Sequence, residues 1–397
     1  MNLERLKEHL GCMVKKIDNK PICSYIYDLH SLKKHAQRIV DSLPDFCSVF
    51  YAVKANPDER LISVLTNIVD GFETASEGEV NKIKRLSTLP IIFGGPVKKD
   101  QEISYLADGT LRMMNIESEH DMHRINQFGR EADKILPVLL RVNLKYNVSS
   151  SSHKMAGVPT QFGIEEKRIP KILGQLDLFP YLDVKGFHFH AMSNNLLADE
   201  HLTFVKMCLE NTLKWKRSFS LELETVNIGG GIGINYDTPS EPFDWDVFSE
   251  GIHQMRESFH ENKLRLIIEL GRYMTAHCGF YVTEVMDIKK NYGEWFALVR
   301  GGTHHLRLPA AWKMSHPFSV YQVEHWRYKP LPRPKVKNEL ITIAGELCTP
   351  NDLLVRKEFL KDLKAGDLVI FHLVGAYGWT ISHHDFLSHP RPEFQYL

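Results

Sequence analysis

The stretch SVFYAVKANP, residues 48–57, is an apolar run that ends in a single lysine, Lys54, among small residues. A lysine at the end of a buried strand loses its proton more easily than one in water, and a neutral amine is what a Schiff base with an aldehyde requires. The small neighbours would let a flat aldehyde approach. A lysine that merely caps an edge strand would show the same local pattern. The remaining sequence therefore has to decide between a Schiff-base lysine and a structural one.

The same pattern, an apolar run followed by a helix-like segment, recurs along the first two-thirds of the chain. The eight runs begin near Ser48, Gly71, Pro90, Leu111, Pro137, Val184, Thr225 and Leu266. Strands that alternate with helices predict a parallel sheet, and eight such units predict a (β/α)8 barrel with its chemistry at the carboxyl ends of the strands. Lys54 follows the first of these strands.

A second, all-β domain is predicted from about Ala276 onward, where short alternating strands replace the earlier pattern. The run Cys23–Tyr27 is predicted to join this β-sandwich or β-barrel domain, so the barrel would be an insertion between its two parts. The predicted boundaries are residues 1–30 and 276–397 for the β domain and residues 31–275 for the barrel.

Several later motifs offer groups that suit pyridoxal 5′-phosphate. The glycines of Gly229–Gly233 could bring backbone amides to a phosphate. The segment Glu269–Arg272 offers a carboxylate for a protonated ring nitrogen and a guanidinium for the phosphate. His188 and His190 alternate at a strand end, so both imidazoles face one side, where a flat ring could stack. Tyr377 adds a phenol. Each motif alone has a structural explanation, but their joint occurrence favours a cofactor site.

From about Pro21 to Glu393 the chain resembles the fold-type III pyridoxal-phosphate decarboxylases, which include diaminopimelate, ornithine and arginine decarboxylases. The resemblance implies that Lys54 carries the cofactor, that Glu73 lies near it and that His190 stacks on its ring. It also implies that Glu269 pairs with the ring nitrogen. The residues expected to bind the cofactor are Lys54, Glu73, His190, Ser193, Gly229, Gly230, Gly231, Glu269, Gly271, Arg272 and Tyr377.

The motif GELCTPND, residues 345–352, resembles the segment in which family members carry a cysteine that enters the partner subunit's active site. This resemblance implies a homodimer with shared active sites and a role for Cys348 as the acid that protonates the product. Without the flanking motif, a buried small hydrophobe would be the better interpretation of a lone cysteine. The expected catalytic residues are Lys54, Cys348, His190 and Glu269.

Other motifs resemble a subgroup of this family, the decarboxylases of carboxylate siderophore assembly of the staphyloferrin B type. Among them are Phe93–Pro96, Gly186–His190, Ser193–Asn195, Arg300–Thr303 and Ser382–Pro390. Few of these motifs are needed to bind a cofactor. The resemblance therefore implies a shared substrate of the citryl-diaminopropionate type.

Departures from the family pattern also concern the substrate. Thr349 stands where diaminopimelate and ornithine decarboxylases have an acid that grips the distal amine, so a free diamine would lose its anchor. Nearby basic residues could neutralise or hydrogen-bond a polyanionic tail such as citrate. The residues expected to bind substrate are Arg307, His304, His305, Thr349, Asp352, His383 and His384. A diaminopimelate or related diamino acid decarboxylase is the alternative enzyme, and a catalytically inactive regulatory relative is the alternative of another class.

Composition agrees with a small-molecule enzyme. Lysine plus arginine equal aspartate plus glutamate at 49 each in 397 residues, so no basic face predicts a nucleic-acid or anionic-lipid partner. The six cysteines have no paired C-x-x-C spacing, so we expect neither a metal site nor a disulfide framework. No apolar run reaches the roughly 18 residues of a transmembrane helix, and the start has no apolar signal core. We therefore expect a cytoplasmic protein.

Overall fold

A computed structural model describes residues 3–15, 20–146, 153–154 and 157–397. The chain forms two compact units. The β unit comprises Met1–Leu32, Tyr236–Ser240 and Thr275–Leu397, and the barrel unit comprises Lys33–Asn235 and Glu241–Met274. The short segment Tyr236–Ser240, which was predicted to lie in the barrel, belongs to the β unit. The other predicted domain boundaries stay a prediction.

The barrel unit contains a closed barrel of eight parallel strands, which confirms the predicted fold. Its strands are β1 Cys47–Ala52, β2 Gly71–Thr74, β3 Ile91–Phe93, β4 Met113–Ile116, β5 Leu136–Asn143, β6 Leu182–Phe189, β7 Thr225–Asn227 and β8 Arg265–Leu270. Strands β8 and β1 pair with each other, as do β4 and β5, so no edge of the barrel is left open. The short strand Ile164–Glu165 pairs with the end of β5, and Met192–Ser193 pairs with His153–Lys154.

Helices follow most barrel strands, and several of them begin at a side-chain cap. Asp58, Ser76 and Ser118 accept hydrogen bonds from backbone N–H groups of the first helical turn, groups that otherwise lack partners. The helices of this unit are Leu29–Asp41 (which begins in the β unit), Glu59–Leu65, Glu77–Leu86, Asp100–Ala107, Glu119–Ala132, Ile169–Leu173, Ala198–Ser218, Trp245–His253, Arg256–Glu261 and Arg272–Thr275. Short 3₁₀ turns are Val53–Ala55, Glu166–Arg168 and Leu176–Leu178.

The inside of the barrel is layered. One apolar layer consists of the buried side chains of Phe50, Ile92, Met113, Leu139 and Ile267. Because side chains alternate along a strand, the residues two positions later point to the same interior, one layer nearer the carboxyl ends. That next layer is polar. It contains Asn115, Arg141 and Glu269, which lie two positions after members of the apolar layer. Residues of neighbouring strands complete it, namely Glu73, His188 and Asn227.

The β unit is built on an eight-stranded sheet. Its strands are Cys23–Tyr27, Gly279–Asn291, Glu294–Val299, Phe318–Tyr321, Lys335–Ala344, Leu353–Lys364, Leu368–Phe371 and Glu393–Tyr396, and its other helices are Leu3–Lys15 and Leu308–Trp312, with 3₁₀ turns at Ala276–Cys278, Trp379–Ile381 and Phe386–Ser388. As predicted, Cys23–Tyr27 joins this sheet, where it pairs antiparallel with Gly279–Asn291. Apolar side chains from the first helix and the sheet, including Leu6, Leu10, Ile26 and Phe280, form its core.

In the described part of the chain, no helix combines the length and the apolar character that crossing a bilayer demands.

Candidate active site

Lys54 lies in a 3₁₀ turn, Val53–Ala55, that directly follows strand β1. Val53 and Ala55 on either side of it are buried, which fixes the turn, while the Lys54 side chain keeps an exposed fraction of 42%. Gly271, at the end of β8, packs against this turn so closely that an added Cβ would lie 3.0 Å from the Ala55 Cβ. The local sequence therefore holds the backbone rigid and leaves the amine accessible.

The Lys54 amine donates a hydrogen bond to Glu73 Oε2, at 2.8 Å. Glu73 ends strand β2 and its side chain is almost fully buried. Burial raises the pKa of the Glu73 carboxyl; Lys54 opposes this effect and the neighbouring Glu269 carboxylate adds to it. The pair thus places an amine and a proton acceptor side by side at the carboxyl ends of the first two strands.

Glu269, in strand β8, is a buried carboxylate with few direct partners. Asn227 Nδ2 donates to its Oε1 at 2.9 Å, and His188 Nε2 lies 3.5 Å from the same oxygen. Burial alone would favour the neutral acid, but the attraction of His188 and Lys54 outweighs it and holds the pKa of Glu269 well below its usual range. Glu269 is therefore an anion at neutral pH, as a carboxylate that keeps a ring nitrogen protonated must be.

His190 follows strand β6, and its ring is stacked 6.3 Å from that of His188. Desolvation and the nearby cations Arg141 and Lys54 lower the pKa of His190 well below its ordinary value, so the ring is neutral. Its Nδ1 accepts a hydrogen bond of 3.1 Å from the Gly230 N–H. A neutral, oriented imidazole at the barrel mouth suits stacking on a flat ring.

The glycine loop after β7 forms a narrow cradle. A Cβ on Gly229 would lie 2.4 Å from His190 Nδ1, and one on Gly230 would lie 2.4 Å from the Glu269 carbonyl oxygen. Gly229 and Gly231 also have positive φ angles of 65° and 107°, which favour glycine. The N–H group of Gly229 donates to Asn227 Oδ1, and that of Gly230 donates to His190 Nδ1. These two glycines therefore shape the loop, and both of their amides are used in hydrogen bonds within the protein.

The segment that carries Ser193 runs beside this loop. The Asn195 N–H donates to the Gly231 carbonyl at 2.8 Å, and the Gly233 N–H donates to the Asn195 carbonyl at 2.8 Å. Ser193 is half-buried next to Asn194. Arg272 is also half-buried and begins the helix after β8. Ser193, the glycines and Arg272 therefore follow strands β6, β7 and β8 in turn, and barrels of this type hold phosphate after the last two of these strands.

The donor set fits pyridoxal phosphate. Both amide atoms of buried Asn115 and the Nδ1 of buried His188 lack hydrogen-bond partners within the described residues, and His188 Nε2 lies 3.5 Å from Glu269 Oε1 without a hydrogen bond to it. Each such group costs about 1–3 kcal/mol of stability, a cost that is typical of binding sites. His188, His190 and Glu269 offer ligand atoms within 4.8 Å of one another, which a metal ion could also use. The adjacent amine of Lys54 and the glycine cradle favour an aldehyde and a phosphate instead.

Arg141 also lies in the candidate site, although no sequence motif pointed to it. It points into the polar layer from β5, donates to Glu117 Oε1 at 2.8 Å and lies 4.6 Å from the Phe162 ring. Glu117 in turn accepts from the Gly163 N–H at 2.9 Å, which ties the loop after β5 to the barrel. An arginine inside the apolar run Leu136–Leu144 was the signal that could have identified it. Asn115 and Asn227 interrupt apolar strands in the same way.

In the β unit, the segment 345–352 joins the strands Lys335–Ala344 and Leu353–Lys364 and presents Cys348 to solvent. Thr349 is half-buried. Asp352 does not face outward: it is 1% exposed, and its carboxylate accepts hydrogen bonds from Thr303 and Leu347. The expectation that Asp352 contacts substrate is corrected, because the chain's own loops use its carboxylate.

His304 and His305 also differ from their expected role as positive charges. Both side chains are fully buried. Burial, followed by the repulsion of His389 and Arg300, lowers the pKa of His304 to about 4, and burial and His304 lower that of His305 to about 2. Both rings are therefore neutral at pH 7 and cannot neutralise an anion. Glu346 Oε1 lies 3.7 Å from His304 Nε2, yet the pKa of His304 is lowered.

Arg307 and His383 remain as the exposed members of the predicted basic cluster. Partial burial and the nearby Arg307 guanidinium lower the pKa of His383, so Arg307 carries the positive charge of this pair. His384 is stacked on Trp379, with ring centroids 3.7 Å apart, and its Nε2 contacts the Trp379 carbonyl. Tyr377 is half-buried and has a φ angle of 51°, a left-handed conformation that is costly for tyrosine and typical of functional positions.

Comparison with known proteins defines the class. Residues 29–276 match the model of the pyridoxal-dependent decarboxylase, pyridoxal binding domain. The chain belongs to this family, whose members use pyridoxal phosphate. Among individual relatives, it is 41% identical over 389 residues to the 2-((L-alanin-3-ylcarbamoyl)methyl)-2-hydroxybutanedioate decarboxylase of Staphylococcus aureus, covering 96% of each chain.

Other similar proteins are more distant. The chain is 28% identical over 375 residues to the L-glutamyl acyl-carrier-protein decarboxylase of Niallia circulans, covering 93% of this chain and 87% of the relative. The crystal structure of Helicobacter pylori diaminopimelate decarboxylase complexed with L-lysine superimposes with a TM-score of 0.84 at 22% identity, covering 98% of this chain and 94% of that one. This last likeness concerns the fold.

Proposed function

We propose that this protein is a pyridoxal-phosphate-dependent decarboxylase of a citryl-diaminopropionate-type compound in carboxylate siderophore assembly of the staphyloferrin B type. The observation that carries the proposal is the 41% identity to the Staphylococcus aureus decarboxylase across 96% of both chains. A diaminopimelate decarboxylase of Campylobacter jejuni is 26% identical. The difference supports a substrate like that of the first relative.

The substrate after which that relative is named contains an α-amino acid joined through an amide to a hydroxy-dicarboxylate. Decarboxylation would break the bond between Cα and the amino acid's carboxylate, release CO2 and add one proton to Cα. The product would be an aminoethyl amide that keeps both carboxylates of the citryl part. A site for this compound needs a cofactor at one end and an anion-binding group at the other.

Bound pyridoxal phosphate supplies an electron sink for the pair of electrons that the departing carboxylate leaves behind. Lys54 would hold the cofactor covalently through its amine, and Glu73, 2.8 Å away, would take up the amine's proton. Glu269 would hold a proton on the ring nitrogen, because its neighbours keep it anionic. Neutral His190 would orient the ring by stacking, while Ser193, Gly231, Arg272 and Tyr377 would hold the phosphate.

Cys348 is proposed to deliver the proton to Cα from the neighbouring subunit of a homodimer. It is exposed at the tip of a loop in the β unit, as a residue that serves another chain must be. Besides the second subunit, the proposed partner is a small-molecule substrate. We also propose a cytoplasmic location. Arg307 and His383 are the exposed groups proposed to bind the citryl carboxylates. His384, which follows His383, and Thr349, which follows Cys348, are proposed as further substrate contacts.

The deciding experiment compares kcat/KM of the purified enzyme for citryl-diaminopropionate, diaminopimelate and ornithine. We expect the citryl compound to exceed both free diamino acids by at least about 100-fold, because a distal ammonium would meet Arg307 and no matched carboxylate. Mass spectrometry should show loss of CO2. If either free amino acid equals or exceeds the citryl compound, the enzyme is a diamino acid decarboxylase and the siderophore assignment is wrong.

Arg307→Ala should lower kcat/KM for the citryl compound by about 10- to 100-fold, the usual effect of losing a charge-assisted hydrogen bond. Cofactor binding, measured by absorbance, should not change. Lys337→Ala is the matched control, since it removes an exposed charge from the same unit. An equal loss in both variants would mean that general electrostatics, and not a contact of Arg307, attracts the substrate.

A further inference from the structure

The loop that presents Cys348 is organised around a single buried carboxylate. Asp352 is 1% exposed. Its Oδ2 accepts a hydrogen bond of 2.8 Å from the N–H of Leu347, the residue directly before Cys348. Its Oδ1 accepts from the Thr303 N–H at 2.6 Å and from Thr303 Oγ1 at 2.7 Å. One side chain therefore fixes the backbone next to Cys348 and joins it to the separate loop that contains Thr303.

Glycines on both loops make room for this carboxylate. A Cβ on Gly302 would lie 2.5 Å from Asp352 Oδ2, and a Cβ on Gly345 would lie 2.3 Å from the same atom. Any larger residue at either position would collide with the carboxylate. The Gly345 N–H also donates to the Asp352 backbone carbonyl at 2.9 Å, which closes the loop at its base.

Further hydrogen bonds connect the same two loops. The Glu346 N–H donates to the Gly301 carbonyl at 2.8 Å, and the Gly301 N–H donates to Glu346 Oε1 at 3.0 Å. These contacts hold the start of the loop, whereas Asp352 holds the residue adjacent to Cys348. Buried carboxylates are costly unless donors satisfy them, and here the donors are the very groups that set the direction of the Cys348 backbone.

We propose that Asp352 is a positioning residue: it holds the Leu347 and Thr303 backbones so that the exposed thiol of Cys348 points along one direction. The inference rests on the proposed role of Cys348 as the proton donor of the decarboxylation. Asp352 then supports proton delivery by Cys348 and does not bind substrate. Asp352 touches neither substrate nor cofactor and acts only through Cys348.

A double-mutant cycle tests this role. In Asp352→Asn one oxygen becomes an NH2 group, so the Leu347 N–H or the Thr303 donors face another donor. We expect kcat to fall about 10- to 100-fold with KM changed by less than about 3-fold. In a Cys348→Ala background the same substitution should change kcat by less than about 2-fold, because its effect passes through the thiol. Equal losses in both backgrounds would overturn the proposal and leave Asp352 a purely structural residue.

Substitutions at Thr303 keep the test valid if Asp352→Asn folds poorly. Thr303→Val removes only the hydroxyl donor and should lower kcat in the same Cys348-dependent way, whereas Thr303→Ser keeps the donor and should retain wild-type kcat. A decrease in Thr303→Ser equal to that in Thr303→Val would count against the proposal, because kcat would then fall even where the hydroxyl donor is retained.

Hydrogen exchange examines the loop without any substrate. In Asp352→Asn the amides of Leu347 and Thr303 should exchange at least about 10-fold faster. Without their hydrogen bonds to the carboxylate, local opening of the loop costs less free energy. Asp362→Asn, on the adjacent strand, is the control and should leave both amides unchanged. Unchanged exchange in Asp352→Asn would refute the positioning role. Failure of the wild type to decarboxylate the citryl compound would instead contradict the proposed function.

Discussion

Lys54→Ala should abolish covalent attachment of pyridoxal phosphate and lower the decarboxylation rate by at least about 1000-fold. The physical reason is that the Lys54 amine is the proposed attachment point: it follows β1 on a turn fixed by buried neighbours and donates to Glu73 at 2.8 Å. Loss of the amine removes both the attachment point and the group that exchanges with substrate. The fold should persist, because the side chain itself is partly exposed.

The measurement is borohydride reduction followed by mass spectrometry of the intact protein. The wild type should gain one reduced cofactor, and Lys54→Ala should gain none. Lys82→Ala is the matched control: Lys82 lies in the same unit and donates to the Pro57 backbone carbonyl at 2.8 Å. It should retain the adduct and its activity. A wild-type level of reduced adduct in Lys54→Ala would exclude Lys54 as the attachment site.

Mixing two inactive variants, Lys54→Ala and Cys348→Ala, should restore activity if Cys348 serves the partner's site. Random exchange of subunits makes about half of the dimers mixed, and each mixed dimer has one site with both residues, so about a quarter of the wild-type activity should return. The exposed position of Cys348 in the single chain is consistent with such sharing. Steady-state assays after a mild unfolding and refolding step would measure the recovery.

The control for this experiment mixes Lys54→Ala with the double variant Lys54→Ala/Cys348→Ala. None of its dimers has a site with both residues, so activity should stay at background. Native mass spectrometry should confirm that subunits have exchanged in both mixtures. Exchange without recovery in the first mixture would place Cys348 in its own chain's site or outside the reaction.

Because His304 and His305 are neutral, they do not supply the positive charge that was expected to bind a polyanionic substrate. Fully buried imidazoles with pKa values of about 4 and about 2 cannot attract citrate at neutral pH. We therefore propose that Arg307, whose guanidinium is exposed, is the main anion-binding residue. This is why the Arg307→Ala variant, and not a histidine variant, is the informative test of the substrate's charge.

The amino-acid sequence by itself determined the alternation of strands and helices, because apolar periodicity follows directly from which faces must be buried. The predicted start of each barrel strand lies within a few residues of the observed one, as at Ser48 for Cys47–Ala52 and Leu266 for Arg265–Leu270. Residues at strand ends, such as Lys54 and Glu269, could be identified for the same reason: polar groups after apolar runs are conspicuous.

Only the tertiary structure decided the environments of those groups. Strand register brings Arg141, His188 and Asn227 into one layer, although 86 positions separate the first from the last of them in the numbering, from 141 to 227. Burial then sets charge: it makes His304 and His305 neutral and turns Asp352 inward to Thr303 and Leu347. Solvation and the direction of a side chain depend on residues far apart in the chain, so a local sequence pattern cannot supply them.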